Sequence, residues 1–281
     1  MKPDEIVARE RRYARPVALA AFAAVAAFIA AIAANQGGAL TDADTDAQFL
    51  ESFEENSSSL LLSAILQAAG MLLVIAPLFY LFQAASARSP AMRSSLIGVT
   101  VAGPLFLAVG SILQWVAFDQ AAADFATPGG GLGIPVGEYA ENLIQEQPTF
   151  DAAQGFTFAG TLGLVVAMAY VSLYAMRAGL LTRFWGSLGM ALGVSVLFLG
   201  FLGLAFYILA LGMLIGGWWP GGRPAAWEAG AAVPWLRPGE EPPTGPPVGG
   251  EPAGPAEPAP AGQEPSGEGP GPPPQKRKRR R

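Results

Sequence analysis

Acidic side chains are the first candidates for chemistry in this sequence, and they begin with the run DADTD at residues 42–46. Alternating carboxylates of this kind open calcium-binding loops, because oxygen ligands suit a hard cation. With Asp42 at the first loop position, the sixth is Ala47 and the twelfth is Phe53, so the turn glycine and the bidentate glutamate are missing. We therefore interpret residues 42–46 as a solvated acidic loop and predict no metal site.

A second candidate is the run PGGGLG at residues 128–133, which has the glycine content of a phosphate-binding loop. It lacks the GK[ST] ending that brings a lysine and a hydroxyl to the phosphates, and it follows no strand pattern. We predict a loop here, followed by a short helix at the membrane interface over Gly137–Gln147.

The sequence lacks the residues that usually carry out nucleophilic or metal catalysis. The chain has no Cys and no His, which removes thiol chemistry, Ser–His pairs and zinc sites such as H-E-x-x-H. No Asp, Glu, Lys or Arg lies within the predicted membrane spans, whereas transport and proton paths commonly use such charges. We predict that the protein is not an enzyme and that it needs no cofactor.

The elements that carry these loops are apolar. Of 281 residues, 52% are hydrophobic and 14% are charged, against about 25% charged in an average soluble domain. A membrane-spanning helix needs roughly 17–25 predominantly apolar residues, and the pattern predicts an all-α, polytopic helical membrane protein. The apolar stretches are Val17–Ala34, Ser59–Ala84, Ser95–Phe118, Gln154–Met176 and Phe184–Trp219.

The segments between these stretches alternate in charge. Residues 1–16, 85–94 and 177–183 carry the basic side chains, whereas residues 35–58 and 119–153 carry six acids each and no base. By the positive-inside rule, this alternation predicts a cytoplasmic N-terminus. Lysine is rare while Ala, Gly, Pro and Arg are common, a composition typical of GC-rich bacterial genomes, so we predict the bacterial inner membrane.

The last apolar run sets the number of spans. As one helix, residues 184–219 would be about 54 Å long, too long for a core of about 30 Å unless the tilt exceeds the usual limit of about 40°. Glycines at 200 and 203 permit a turn. We predict two spans here, six in all, and a cytoplasmic C-terminus. A glycine-rich face that continues through residue 203 leaves five spans as the alternative.

The first apolar stretch also has two interpretations. We predict that Val17–Ala34 is a retained anchor. A basic segment, an Ala-rich run and the small residues of AIAANQ would equally suit a cleaved signal peptide.

Three residues inside the second and third stretches interrupt their apolar character: Gln67, Pro77 and Pro104. An amide side chain joins membrane helices by hydrogen bonds, and a proline kinks a helix because it lacks an N–H. We predict that these residues serve helix packing. The alternative is a polar path through the membrane, lined by all three.

The last part of the chain has a different composition. Seventeen of the 56 residues 220–275 are Pro, which predicts a disordered tail able to meet a Pro-reading protein domain. The chain thus divides into a basic N-terminus (1–16), a helical transmembrane domain (17–219) and a cytoplasmic tail (220–281). Five tryptophans predict an aromatic belt at the cytoplasmic interface: Trp185, Trp218, Trp219, Trp227 and Trp235.

A basic run occupies residues 276–281 of that tail. Clustered bases beside a membrane attract anionic lipid headgroups, so we predict lipid contact and regard nucleic acid as the less favoured partner. The six side chains are Lys276, Arg277, Lys278, Arg279, Arg280 and Arg281.

Two stretches, AGLLTRFWGSLGMALGV (178–194) and GGWWPGGRPAAWEAGAAVPW (216–235), carry a resemblance. Together they resemble the C-terminal part of small multi-span bacterial membrane proteins that are grouped only as a domain of unknown function. The resemblance extends loosely over residues 10–236. It implies a six-helix membrane domain, and it implies no activity and no site residues.

Two functional hypotheses follow from the sequence. The first is a non-enzymatic membrane scaffold or interaction protein that works through its tail and its acidic outer loops. The alternative is a small transporter or permease subunit whose path is lined by Gln67, Pro77 and Pro104.

Overall fold

The computed structural model describes residues 2–35, 45–127, 134–233 and 235. Every regular element in these ranges is helical, as the sequence predicts. The elements are α1 (Pro3–Asn35), α2 (Asp46–Ser86), a 3-10 turn (Ser94–Leu96), α3 (Ile97–Phe125), α4 (Val136–Gln145), α5 (Pro148–Arg177), α6 (Arg183–Leu199), α7 (Phe201–Gly216) and α8 (Ala226–Ala229).

Four of these helices are long and apolar enough to cross a membrane: α1, α2, α3 with the turn before it, and α5. The apolar helices α6 and α7 are shorter, with 17 and 16 residues. The helix predicted at the membrane interface is present as α4. These findings support the membrane-protein prediction at the level of four candidate spans.

Two helices extend well beyond the apolar stretches that predict them. α1 begins at Pro3 rather than Val17, because the Arg, Glu and Ala residues before the apolar run are good helix formers. α2 begins at Asp46 rather than Ser59, and the Thr45 hydroxyl accepts a hydrogen bond from its first turn. The extra turns lie outside the apolar part of the bundle and build its two ends.

The predicted break in the last apolar run lies at Gly200. Its φ of +63° is a conformation that L side chains rarely adopt. α6 ends there, and α7 turns back beside it. Trp185 near the start of α6 meets Trp219 just after α7, with ring centroids 4.8 Å apart, so the two helices form an antiparallel hairpin.

The six apolar helices form a closed ring. Each contacts two neighbours, in the order α1, α2, α3, α5, α6, α7 and back to α1, while α2 also contacts α5 and α7. α3 and α5 approach closely at Gly103, where a Cβ atom would lie 2.6 Å from the Leu164 nitrogen, so only glycine fits. The centre is aliphatic, and its fully buried residues include Met71, Leu78, Leu81, Leu164, Met168, Leu204 and Ile208.

The ring has two ends of opposite charge. The basic end comprises residues 2–16, 85–97, 174–186 and 214–235, and it contains every Lys and Arg that the structure describes. The acidic end comprises residues 45–60, 113–127 and 134–153, and it contains ten acids and no base in the described ranges. Because successive helices run up and down, the basic and acidic segments that alternate along the chain lie at opposite ends of the ring.

Candidate functional site

The basic end contains a buried ion pair that joins two helices. Glu10 lies on α1 and Arg88 follows the end of α2, and their side chains are 6% and 0% exposed. One terminal nitrogen of Arg88 donates to Glu10 Oε1, and Nη2 donates to Oε2 at 2.9 Å. Two parallel hydrogen bonds of this kind are the strongest pairing that a guanidinium and a carboxylate make.

The rest of the Arg88 guanidinium is also satisfied. Nε and Nη2 donate to the Ala226 carbonyl at 3.2 and 3.0 Å, and Nη1 donates to the Ala84 carbonyl at 2.9 Å. With the two bonds to Glu10, five N–H groups have acceptors, which is the full donor inventory of arginine. Arg88 therefore connects α1 and α2 to the segment that follows α7.

That segment, residues 217–233 and 235, crosses the basic end, and we call it the strap. Trp227 is its buried centre: the indole stacks on Tyr80 at 5.9 Å, and its Nε1 donates to the Leu180 carbonyl at 3.0 Å. The Tyr80 hydroxyl in turn donates to the Glu10 carbonyl at 2.9 Å. The ion pair and the indole thus form one polar and aromatic cluster.

Arginines and backbone groups hold the two ends of the strap. Arg223 donates from Nε to the Leu214 carbonyl at 3.2 Å and from Nη2 to the Ile215 carbonyl. These carbonyls lie in the last turn of α7, where the Leu214 carbonyl also accepts from the capping Gly217 N–H at 3.1 Å. Further along, Trp235 Nε1 donates to the Leu181 carbonyl at 2.8 Å, and Arg183 donates to the Trp235 carbonyl at 3.1 Å.

The strap corrects the predicted start of the tail. The composition predicts a disordered tail that begins at Pro220, yet residues 220–233 and 235 form a segment that packs against the helices. The predicted aromatic belt also changes, because Trp227 is buried while Trp218 and Trp235 are exposed. Pro- and Gly-rich composition does not exclude order where large rings find distant partners. Residues 236–281, including the basic run 276–281, lie outside the described part of the chain.

Glu10 was not predicted as a site residue, although the spacing of residues on α1 indicates that it is buried. The buried positions of α1 include Ile6, Glu10, Ala14 and Ala18, a strict spacing of four. Residues with this spacing share one helix face. An acid on the buried face of a helix requires a partner, and Arg88 is that partner. From the sequence, Arg88 was interpreted only as a topology signal.

The acidic end forms a small cap with its own hydrophobic cluster. We define the cap as residues 46–60, 115–125 and α4, together with the start of α5. Leu50, Phe53 and Ala140 are buried in it. Phe118 lies 5.0 Å from Phe49 and 5.8 Å from Phe53 and from Phe150, measured between ring centroids. Three helical segments and α4 thus share one aromatic centre.

Hydrogen bonds fix the cap at its edges. Ser57 Oγ donates to Asp119 Oδ1 at 2.8 Å, and Trp115 Nε1 donates to the Ser57 carbonyl at 3.2 Å. Gln147 Nε2 donates to Asp124 Oδ2 at 3.1 Å. Asp119 is half-buried, and the other nine acids of the acidic end are exposed: Asp46, Glu51, Glu54, Glu55, Asp124, Glu138, Glu141, Glu146 and Asp151.

The residues predicted for a polar path do not share one groove. Gln67 is half-buried on α2 and lines a groove with Phe28, Ser63 and Phe201. Pro77 and Pro104 are buried in α2 and α3 and are not part of that groove. Gln67 therefore lies in a groove that neither proline lines, and the transport alternative stays a prediction.

Two of the predicted loops lie partly or wholly outside the residues that the structure describes. Residues 36–44, with the first acids of DADTD, and residues 128–133 are outside the described ranges.

Comparisons of the chain with protein-family models, with curated proteins and with solved structures return no match. The resemblance drawn from residues 178–194 and 216–235 therefore stays a prediction.

Proposed function

We propose that this chain is a six-span integral membrane protein of the bacterial inner membrane, a member of the uncharacterised family that it resembles. α6 and α7 are each about 25 Å long at 1.5 Å per residue. Such helices span a bilayer that thins locally or beside longer neighbours. Their places in the closed ring, between α5 and α1, support counting both as spans.

The segregation of charge supports an orientation. All described bases lie at one end of the ring, and the positive-inside rule assigns that end to the cytoplasm. The strap and both termini are then cytoplasmic, and the cap lies outside. α1 closes the ring through the buried residues Ala18, Ala21 and Ala24, which supports a retained anchor rather than a cleaved signal.

Single cysteines test this topology without background, because the chain has none of its own. Glu54→Cys in the cap should react with a membrane-impermeant maleimide in intact cells. Ser94→Cys and Ala225→Cys, both at exposed positions of the basic end, should react only after permeabilisation. Labelling of Ala225→Cys in intact cells would contradict six spans and favour five.

We further propose that the protein is a non-enzymatic scaffold that binds a partner through the cap. The single observation that carries this proposal is nine exposed carboxylates on a packed helical cluster, with no base among the described residues of that end. A field of one sign raises the encounter rate with an oppositely charged surface and selects against others. The partner surface is therefore expected to be basic.

Site-specific crosslinking tests the scaffold proposal in cells. A photo-crosslinking amino acid at Glu54 should give a discrete adduct, and the same group at lipid-facing Leu202 should not. Adding Glu51→Gln and Glu55→Gln should weaken the Glu54 adduct, because the attraction is electrostatic. A smear of equal intensity at both positions, or an adduct indifferent to the charge changes, would contradict the proposal.

We also propose that the basic run 276–281 contacts anionic lipid. Each base near an anionic surface contributes about 1 kcal/mol, weakened by salt. A peptide of residues 262–281 should bind vesicles that contain phosphatidylglycerol and not neutral vesicles, and RNA should compete weakly. Equal binding to both vesicle types would end this proposal, and strong competition by RNA would favour a nucleic acid partner.

A further inference from the structure

A cavity lies at the basic end between α6, α7 and the strap. Its volume is about 250 Å³. Three indole rings contribute to its wall, from Trp185, Trp219 and Trp235, and the rest is mainly aliphatic, including Leu211 and Leu214. A cavity with this lining suits an apolar group, such as part of a hydrocarbon chain.

The charges beside the cavity are positive. Arg223 is part of the wall, and Arg183 donates to the carbonyl of the wall residue Trp235 at 3.1 Å. None of the acids in the described ranges lines the cavity. Within the described part of the chain, neither Arg183 nor Arg223 has a carboxylate within 4.0 Å. An anionic group near the mouth would therefore meet two guanidinium groups without a carboxylate partner among the described residues, of which Arg223 also bonds the carbonyl end of α7.

The cavity adjoins the lipid-facing surface of the hairpin. Trp185 packs edge-on against Phe184 at 5.5 Å and stacks with Phe206 at 6.2 Å. Phe184 and Phe206 are 66% and 54% exposed, as side chains that face acyl chains are. A chain lying on this surface can reach the indole-lined wall without crossing the bundle.

We propose that this cavity binds an anionic phospholipid, with part of one acyl chain against the indoles and the phosphate facing Arg183. Arginine suits this role because its planar fork matches phosphate oxygens. A zwitterionic lipid fits the apolar wall equally well but gains less from the two arginines. The site requires a bilayer and does not depend on the scaffold proposal or on which leaflet the basic end faces.

Quenching of tryptophan fluorescence by brominated acyl chains tests the site in nanodiscs that contain the full chain. One preparation has a minor fraction of brominated phosphatidylglycerol in phosphatidylcholine, and the other has the same fraction of brominated phosphatidylcholine. Contact with bulk lipid quenches equally in both. Arg223 already donates to the carbonyls that end α7, so Arg183 is counted alone, at about 1 kcal/mol, and the apparent affinity for the anionic lipid should be about fivefold higher. Equal quenching would overturn the proposal.

Matched variants separate the cavity from general surface charge. Arg183→Gln should remove most of the preference, and Arg183→Lys, which keeps the charge but not the planar fork, should keep part of it. Arg177→Gln at the same end should leave the preference unchanged, because Arg177 packs over Tyr174, which is not a wall residue, whereas Arg183 bonds the wall residue Trp235. Ala210→Phe fills the cavity and should abolish the preference even with both arginines present. A loss in Arg177→Gln equal to that in Arg183→Gln, or an unaltered preference in Ala210→Phe, would overturn the proposal.

Discussion

The two ends of the ring use charge in opposite ways. At the acidic end, nine carboxylates face outward over an aromatic cluster, so the interior is apolar and the charge is on the surface. At the basic end, one acid and one base lie inside, and they hold a segment that composition alone assigns to a tail. In our proposal, charge at the first end selects the partner, whereas charge at the second end joins α1 and α2 to the strap.

This difference has an energetic consequence. A surface substitution away from special features changes stability by about 0.5 kcal/mol or less. Removal of one partner of a buried pair leaves an uncompensated charge and costs about 3–5 kcal/mol. The same change of charge should therefore have very different effects at the two ends.

The largest expected effect is that of Arg88→Met. The substitution leaves Glu10 buried without its partner and releases the Ala226 carbonyl, so unfolding should become easier by about 3–5 kcal/mol. Equilibrium unfolding in mixed micelles, followed by circular dichroism, measures this change.

Two controls belong to that experiment. Arg93→Met, at an exposed position of the same end, should change stability by about 0.5 kcal/mol or less. Glu10→Leu combined with Arg88→Met should recover most of the loss, because an apolar pair needs no compensation. A double variant as unstable as Arg88→Met alone would show that the ion pair is not what the basic end depends on.

At the acidic end, Leu50→Ala should have the next largest effect. Leu50 is fully buried in the cap, and such a truncation costs about 2–5 kcal/mol. The loss should be local, since the cap has its own cluster. Hydrogen exchange should accelerate in residues 46–57 and α4 but not in α7. Leu62→Ala, exposed on the same helix, is the control and should change neither.

A smaller effect is expected from Ser57→Ala. The hydroxyl donates to the half-buried carboxylate of Asp119 at 2.8 Å, and a hydrogen bond to a charged group contributes about 1.5–3 kcal/mol. The measured loss should lie at the low end of this range, because water reaches the pair. The control is Ser58→Ala: Ser58 is the next residue along the helix and is exposed, so this substitution should leave the unfolding curve unchanged.

The smallest effect on stability should come from the cap's surface charges. Glu51→Gln, Glu54→Gln and Glu55→Gln together remove three exposed charges. Each should alter stability by about 0.5 kcal/mol or less, while adduct formation at the cap falls. If the triple variant unfolded as easily as Arg88→Met, these carboxylates would be structural and the contrast between the two ends would fail.

Local rules were sufficient for much of the fold. Apolar stretches of span length predict the helices, and Gly200 marks the break between α6 and α7 because its backbone conformation excludes most other residues. Alternating charge along the chain predicts two ends of opposite sign, since an up-and-down bundle returns every second loop to the same end. Each of these features depends on neighbours in the chain.

Only the tertiary structure decided which polar groups are buried and what orders the segment after α7. Glu10 and Arg88 are far apart in the sequence, and Arg88 meets Ala226 across an even longer separation. The spacing of four residues on α1 marks Glu10 as facing inward, but it does not say which base comes to meet it. The strap is ordered because Trp227 finds Tyr80 and Leu180. Composition describes what a segment can bury by itself, and it carries no information about a site that other helices have already built.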